Sequence, residues 1–268
     1  MLRVEKLQLQ LHGKSILEEV SFDLPRGQTL CIVGESGSGK SSLLRAVNGL
    51  MPATFDSLMF RPKNGPAISL KEYWKGRVGL PGSRWVMQDP LSALNPKLPL
   101  GLSIGESVFA QKLKPLELKA AISAALADVE LPAEMAKRRP AQVSMGQAQR
   151  ACLARALIAR PDLIFFDEPL SALDAIVQKQ IAATMKRIQT RFDITFVIVT
   201  HDLGFAAAYA DHMLVLRGGK VEANQSAEMF FQAPESDYCR ELIAAAHELG
   251  GLPETVAKVS GSKAAISC

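Results

Sequence analysis

Apolar positions recur along this chain with two different periods. Over residues 1–27 they alternate with polar ones: Val4, Leu7, Leu9 and Leu11, then Ile16, Val20, Phe22 and Leu24. Period two predicts half-buried antiparallel strands. His12-Gly13-Lys14 reads as the turn between them and Pro25-Arg26-Gly27 as the turn that ends the pair. Short apolar runs come later, at residues 163–166 and 196–199, and residues 28–33 also read as a buried strand. Runs of that length suit buried parallel strands. Residues 84–88 predict a further strand, stopped by Asp89-Pro90. Residues 213–216 and 220–223 predict a hairpin across Arg217-Gly218-Gly219.

Helical spacing appears at residues 116–129 and 147–159, the second ended by Arg160-Pro161. It returns at 172–192, 203–210, 226–232 and 236–248. Residues 52–82 are rich in Pro, Gly and Lys and predict short strands and loops. Strands that alternate with helices predict an α/β class with a parallel sheet. The expected organisation is one domain over 1–250. Its core and β layer occupy 1–88 and 161–225, and a helical insert spans about 90–160. C-terminal helices follow over 226–250, and 251–268 is expected to be a mobile tail.

Composition narrows the class only modestly. The 268 residues are 48% hydrophobic and 22% charged, an ordinary globular balance. No apolar run approaches the roughly eighteen residues that a membrane span needs. The first residues carry no apolar signal core, so a cytoplasmic location is expected. Cys31, Cys152, Cys239 and Cys268 are far apart and form no C-x-x-C pair, the pattern of idle thiols in a reducing compartment. A net charge of +4 is too small to point to nucleic acid.

Chemistry enters at Gly34-Glu35-Ser36-Gly37-Ser38-Gly39-Lys40-Ser41, which fits G-x-x-x-x-G-K-[ST] between a strand and a helix. A helix N-terminus offers unpaired N–H groups and a positive dipole end to phosphate. Gly37 and Gly39 let the backbone curl close to the anion. In this motif Lys40 reaches the β- and γ-phosphates and the Ser41 hydroxyl ligates Mg2+. A glycine-rich turn with no ligand is the bland alternative, and the strand and helix flanks argue against it. Residues 163–166 then end in Asp167-Glu168-Pro169, two carboxylates at a strand's C-terminal edge. Asp167 suits Mg2+, and Glu168 suits a general base or water-orienting role. Capping of the next helix is the bland reading of that pair.

Four more features follow in order: Gln88, Ser144-Met145-Gly146-Gln147, Ser171-Ala172-Leu173-Asp174 and His201. With the phosphate loop and the carboxylate pair, this order resembles the ATPase subunit of ABC transporters over roughly residues 1–235. That family carries a P-loop, a Q-loop glutamine, an LSGGQ-like signature, a Walker B D-E pair, a D-loop and a switch histidine. The resemblance implies a P-loop NTPase (RecA-like) parallel-sheet core, an N-terminal antiparallel β subdomain and an α-helical insert. It implies ATP and Mg2+ as ligands, with nucleotide contacts extending to Glu35, Ser36, Ser38 and Ser42. Gln88 would touch Mg2+ and the attacking water. Ser144, Gly146 and Gln147 would meet the γ-phosphate of ATP held by a second subunit. Asp174 would lie at that interface, and His201 would bond the γ-phosphate. Implied partners are a second ABC ATPase chain (a different one or a copy), two transmembrane permeases and, indirectly, an extracytoplasmic binding protein. The implied location is the cytoplasmic face of the membrane, with no role for nucleic acid.

Three positions depart from the family pattern. Met145 replaces the first glycine of the signature, Leu170 stands where a small polar residue is usual, and no aromatic residue occupies the adenine-stacking position. Leu11, beside His12, takes that place, and either side chain could cover the base. The stretch from Met87 through Asn95-Pro96 is similar to the dipeptide, oligopeptide and nickel importers. So is Pro234…Tyr238…Arg240-Glu241-Leu242, which resembles their H-P-Y-T-x-x-L segment. The short chain after it is more similar to the nickel or metallophore branch. A soluble ABC ATPase acting on nucleic acid or ribosomes is the alternative. Such proteins usually carry two cassettes or coiled-coil inserts, and no heptad tract occurs here. A small P-loop kinase would need neither the Ser144 segment nor His201.

Overall fold

The computed structural model describes residues 1–73 and 79–252. The tail expected over 251–268, with Cys268, lies outside the described residues from 253 on. The chain opens with β1 (Leu2–Leu11), β2 (Lys14–Leu24), β3 (Thr29–Val33) and α1 (Lys40–Val47). Next come β4 (Ser57–Phe60), β5 (Ile68–Ser69), α2 (Leu70–Tyr73), β6 (Ser83–Val86), α3 (Pro90–Ala93) and α4 (Leu100–Gly105). Then α5 (Pro115–Asp128), α6 (Met145–Leu157), β7 (Leu163–Asp167), α7 (Ala175–Phe192) and β8 (Thr195–Val199). The last elements are α8 (Leu203–Tyr209), β9 (His212–Arg217), β10 (Lys220–Ser226), α9 (Ala227–Gln232) and α10 (Asp237–Glu248). They form two compact units, residues 1–81 with 195 onward, and residues 82–194.

The first unit holds two sheets. One is antiparallel in the order β2-β1-β4-β5. The predicted alternation holds only in pieces, because both long strands are bulged. Register shifts fall between Val4 and Leu7 and between Leu7 and Leu9. Lys6 and Glu19 take φ of 48° and 49°. Each bulge skips one residue and resets which side chains face inward. Leu2, Val4, Leu7 and Leu9 are buried on β1, and Leu11 is only half-buried. On β2 the reset buries Leu17 in place of the expected Ile16.

In the second sheet of this unit β3 runs parallel to both β8 and β9, and β10 returns antiparallel along β9. Every residue of β3 and β8 is buried, as unbroken apolar strands covered on both faces must be. The order β9-β3-β8 leaves the C-terminal end of β3 flanked by strands on both sides, and the loop that follows it emerges there.

The second unit pairs β6 and β7 in parallel and carries the helices α3 to α7. The strand at residues 84–88 is shorter than expected: it ends at Val86, and Met87 and Gln88 leave the sheet. The long helix also starts later than expected, at Ala175, where Asp174 caps it. Arg150 on α6 ties this unit together. Its guanidinium donates to the Val129 carbonyl at 2.9 Å, to the Glu130 carboxylate at 2.8 Å and to Thr184 Oγ1 on α7 at 3.1 Å. Arg187 and Arg150 hydrogen bonds hold the Glu130 carboxyl below its usual range. All three acceptors meet the same guanidinium nitrogen, Nη1, and the Glu130 carboxylate pairs its charge. No helix among the described residues is long and apolar enough to cross a membrane.

Candidate nucleotide site

The first unit places the phosphate loop between β3 and α1. The helix begins at Lys40, and Gly39 is its N-cap at φ 98°. Among the described residues no side-chain hydrogen bond caps this end, and the first N–H groups of a helix are the ones that can receive an anion. Gly34 and Gly39 are glycines for want of room as well as for their dihedrals. A Cβ on Gly34 would stand 2.0 Å from the Leu216 carbonyl oxygen, and one on Gly39 2.7 Å from Leu17 Cδ2. Gly37, at φ 81°, has open space around it.

Lys40 is buried, 8% exposed. Its ammonium donates to the carbonyl oxygens of Gly34 and Glu35, both at 2.8 Å. The Glu35 carbonyl also accepts the Ser38 N–H at 3.2 Å, and the Ser38 carbonyl accepts the Gly219 N–H at 3.2 Å. The β9–β10 turn thus braces the loop from outside. The Ser38 hydroxyl is buried, with no hydrogen-bond partner among the described residues. Glu35, Ser36 and Gly37 are exposed at the tip, and Ser41 and Ser42 are half-buried in the first helical turn. A cradle of backbone N–H groups with a buried cation behind it is the donor set that a triphosphate requires.

Elsewhere in this unit His201 is exposed just past β8. Thr200 Oγ1 accepts the Asp202 N–H at 3.0 Å, and Asp202 caps α8 through the Phe205 N–H at 2.9 Å. That fixes the backbone on both sides of the imidazole. At the far end of β1, Leu11 is half-buried, and His12 is exposed in the turn at φ 49°.

The second unit brings Gln88 and Glu168 together. The Gln88 carboxamide nitrogen lies 3.4 Å from Glu168 Oε2 and 3.4 Å from Ser171 Oγ. Ser171 in turn donates to the Glu168 carbonyl at 3.1 Å. Asp167 and Glu168 are half-buried at the end of β7. Glu168 has φ 47°, a left-handed conformation that a glutamate adopts at a cost of about 1–3 kcal/mol. The strain turns the carboxylate out of the strand line toward Gln88. Ser171 entered the sequence reading only as the first residue of the Asp174 segment, without a role of its own. Only its place beside Asp174 could have signalled it.

Ser144, Gly146 and Gln147 open α6. Ser144 is the N-cap and accepts the Gln147 N–H at 3.3 Å, while Gln147 Oε1 accepts the Ser144 N–H at 3.0 Å. This reciprocal box satisfies two end groups. The Gln147 side chain therefore shapes the helix start. Met145 is half-buried in the first turn. Asp174 caps α7, its carboxylate accepting from the Ile176 and Val177 N–H groups at 3.1 and 3.0 Å.

Comparison with known proteins agrees with this geometry. The family model described as ABC transporter matches residues 17–171. The chain is 37% identical over 240 residues to the dipeptide transport ATP-binding protein DppD of Bacillus subtilis, covering 86% of this chain and 70% of that one. Among solved structures it resembles cbiO1 of Clostridium perfringens, described as part of the ABC transporter complex cbiONQ. The TM-score is 0.76 at 25% identity, over 93% of this chain and 96% of that one. A dimeric ATP-binding cassette, MJ0796, bound to ADP and phosphate in a post-hydrolysis state, matches in fold. Its TM-score is 0.69 at 24% identity, over 85% and 99% of the two chains.

Proposed function

The chain belongs to the ABC transporter family, as an ATPase, and on that premise we propose that it is the motor subunit of a membrane importer for peptides. The observation that carries the reading is the Lys40 ammonium held 2.8 Å from two loop carbonyls at a glycine-capped helix start. Peptide cargo follows the relative whose name specifies dipeptide transport.

In this reading Lys40 exchanges its two carbonyls for the β- and γ-phosphate oxygens of ATP. The loop N–H groups and the α1 dipole neutralise the same charge. Oxygen donors suit a hard cation, so the Ser41 hydroxyl, Asp167 carboxylate and Gln88 carboxamide oxygen would hold Mg2+, which offsets charge on the transferring phosphoryl group. Glu168 accepts the proton of the attacking water, and Gln88 and the left-handed backbone fix the direction of its carboxylate. His201 hydrogen-bonds the γ-phosphate. Leu11 and His12 cover the base.

The α6 start, with Ser144, Gly146 and the cap formed by Gln147, serves the nucleotide of a second ATPase chain, and Asp174 lies at the same interface. ATP then holds two subunits together, and loss of the γ-phosphate releases them. Met145 adds bulk at this surface, so its effect falls on the partner's ATP. The reading places the chain on the cytoplasmic face of the membrane, against two permeases fed by an extracytoplasmic binding protein.

Titration of the full chain with a fluorescent ATP analogue tests the premise of the site. Lys40→Ala abolishes binding; unchanged affinity would overturn the reading.

A further inference from the structure

Ser171 stands in the turn between β7 and α7, three residues past Glu168. Its N–H and its hydroxyl both donate to the Glu168 carbonyl, at 3.4 and 3.1 Å. Two donors on that one oxygen hold the peptide that follows the left-handed Glu168. The hydroxyl has a single proton, and the Glu168 carbonyl takes it. Toward Gln88 it can therefore only accept, and the Gln88 carboxamide nitrogen stands 3.4 Å away.

The same nitrogen lies 3.4 Å from Glu168 Oε2. Two acceptors beside the nitrogen give the carboxamide one orientation. Turned over, its oxygen would face the carboxylate and the Ser171 lone pairs. Each contact is at the long end of hydrogen bonding, so neither pins the side chain alone. Gln88 and Ser171 are both exposed, which leaves their order to these bonds. The turn itself is held from α7. The Gln178 carboxamide donates to the Leu170 and Leu173 carbonyls at 2.9 and 3.1 Å. The Leu173 N–H also closes on the Leu170 carbonyl, at 3.1 Å. Leu170 and Leu173 bracket Ser171 in the chain, so Gln178 fixes the backbone from which the hydroxyl projects.

We propose that Ser171 is a positioning residue for hydrolysis: clamped by Gln178, its hydroxyl sets the Glu168 backbone and the Gln88 carboxamide so that the carboxylate meets the attacking water. The proposal rests on the reading of Glu168 as the acceptor of that water's proton. Misdirection of a base by a fraction of an ångström slows proton transfer steeply. The phosphate loop keeps its own bonds, so the effect falls on the chemical step rather than on nucleotide affinity.

The test is single-turnover MgATP hydrolysis by the full chain, with a fluorescent ATP analogue titrated alongside. Ser171→Ala should slow hydrolysis about five- to fiftyfold, the worth of the two hydrogen bonds its hydroxyl makes. Analogue affinity should stay within about twofold. Ser171→Thr, which restores a hydroxyl, should recover the rate to within about threefold. Gln178→Leu keeps the bulk and removes both donors, so it should also slow hydrolysis and add little to Ser171→Ala. In a Glu168→Gln background Ser171→Ala should change the residual rate by less than about twofold. A wild-type rate in Ser171→Ala or Gln178→Leu, affinity that falls in step with the rate, no rescue by threonine, or a further loss in the Glu168→Gln background would each overturn the proposal. Wild-type hydrolysis by Glu168→Gln alone would overturn the reading of Glu168 instead.

Discussion

Gly146 packs so closely on Val177 that a Cβ built on it would stand 2.7 Å from Val177 Cγ1. In a helix, replacing glycine by alanine ordinarily stabilises by about 0.5–1 kcal/mol. Here the sign should reverse. Gly146→Ala is expected to lower the unfolding free energy by about 1–2 kcal/mol through overpacking. In a Val177→Ala background the same change should be neutral or stabilising. Denaturant unfolding of the four proteins measures this, and an unchanged cost in the Val177→Ala background would show that the contact is not the cause.

Ser144 has two duties that a pair of variants separates. Ser144→Ala removes the cap of α6 and should cost about 1 kcal/mol. Ser144→Asp keeps a good capping oxygen but sets a carboxylate against the partner's phosphate. It should unfold like the wild type while ATP turnover of the assembled transporter falls at least about tenfold. Normal turnover in Ser144→Asp would leave Ser144 with the capping duty alone.

Two thiols should set the alkaline limit of stability. Cys31 on β3 and Cys152 on α6 are buried. Burial pushes the Cys31 thiol far above its usual pKa and moves Cys152 up to about 11. The neutral form is favoured in the folded chain, so both contributions are intact below the unfolded pKa of about 8.5. Above it the unfolded chain binds fewer protons and stability falls, by about 1.4 kcal/mol per pH unit for each thiol. Urea unfolding between about pH 9 and 11 should therefore show a steep decline that Cys31→Ala/Cys152→Ala flattens. An equal slope in both proteins would remove the thiols as its cause.

Long-period features were legible in the sequence and local breaks were not. The alternation of β1 and β2 announced two antiparallel strands, but bulges at Lys6 and Glu19 put Leu17 inward and left Ile16 half-exposed. A bulge depends on a partner strand, so no single segment carries its sign. The phosphate loop could be read directly because its spacing encodes dihedrals and close approach. Its support could not: Gly219, which bonds to the Ser38 carbonyl, comes from far along the chain. Gln88 and Glu168 were named separately, and only folding brings them 3.4 Å apart with Ser171 between. The resemblance assigned Gln147 a phosphate contact, and its spacing from Ser144 also fits the capping box seen here.

Single-turnover ATP hydrolysis by Glu168→Gln tests the account most directly. The variant keeps the Gln88 neighbour and the phosphate loop but loses the proton acceptor. It should bind MgATP as tightly as the wild type and hydrolyse it at least about 100-fold more slowly, the worth of a positioned general base. Hydrolysis at the wild-type rate would contradict the role assigned to Glu168 and the chemistry built on it.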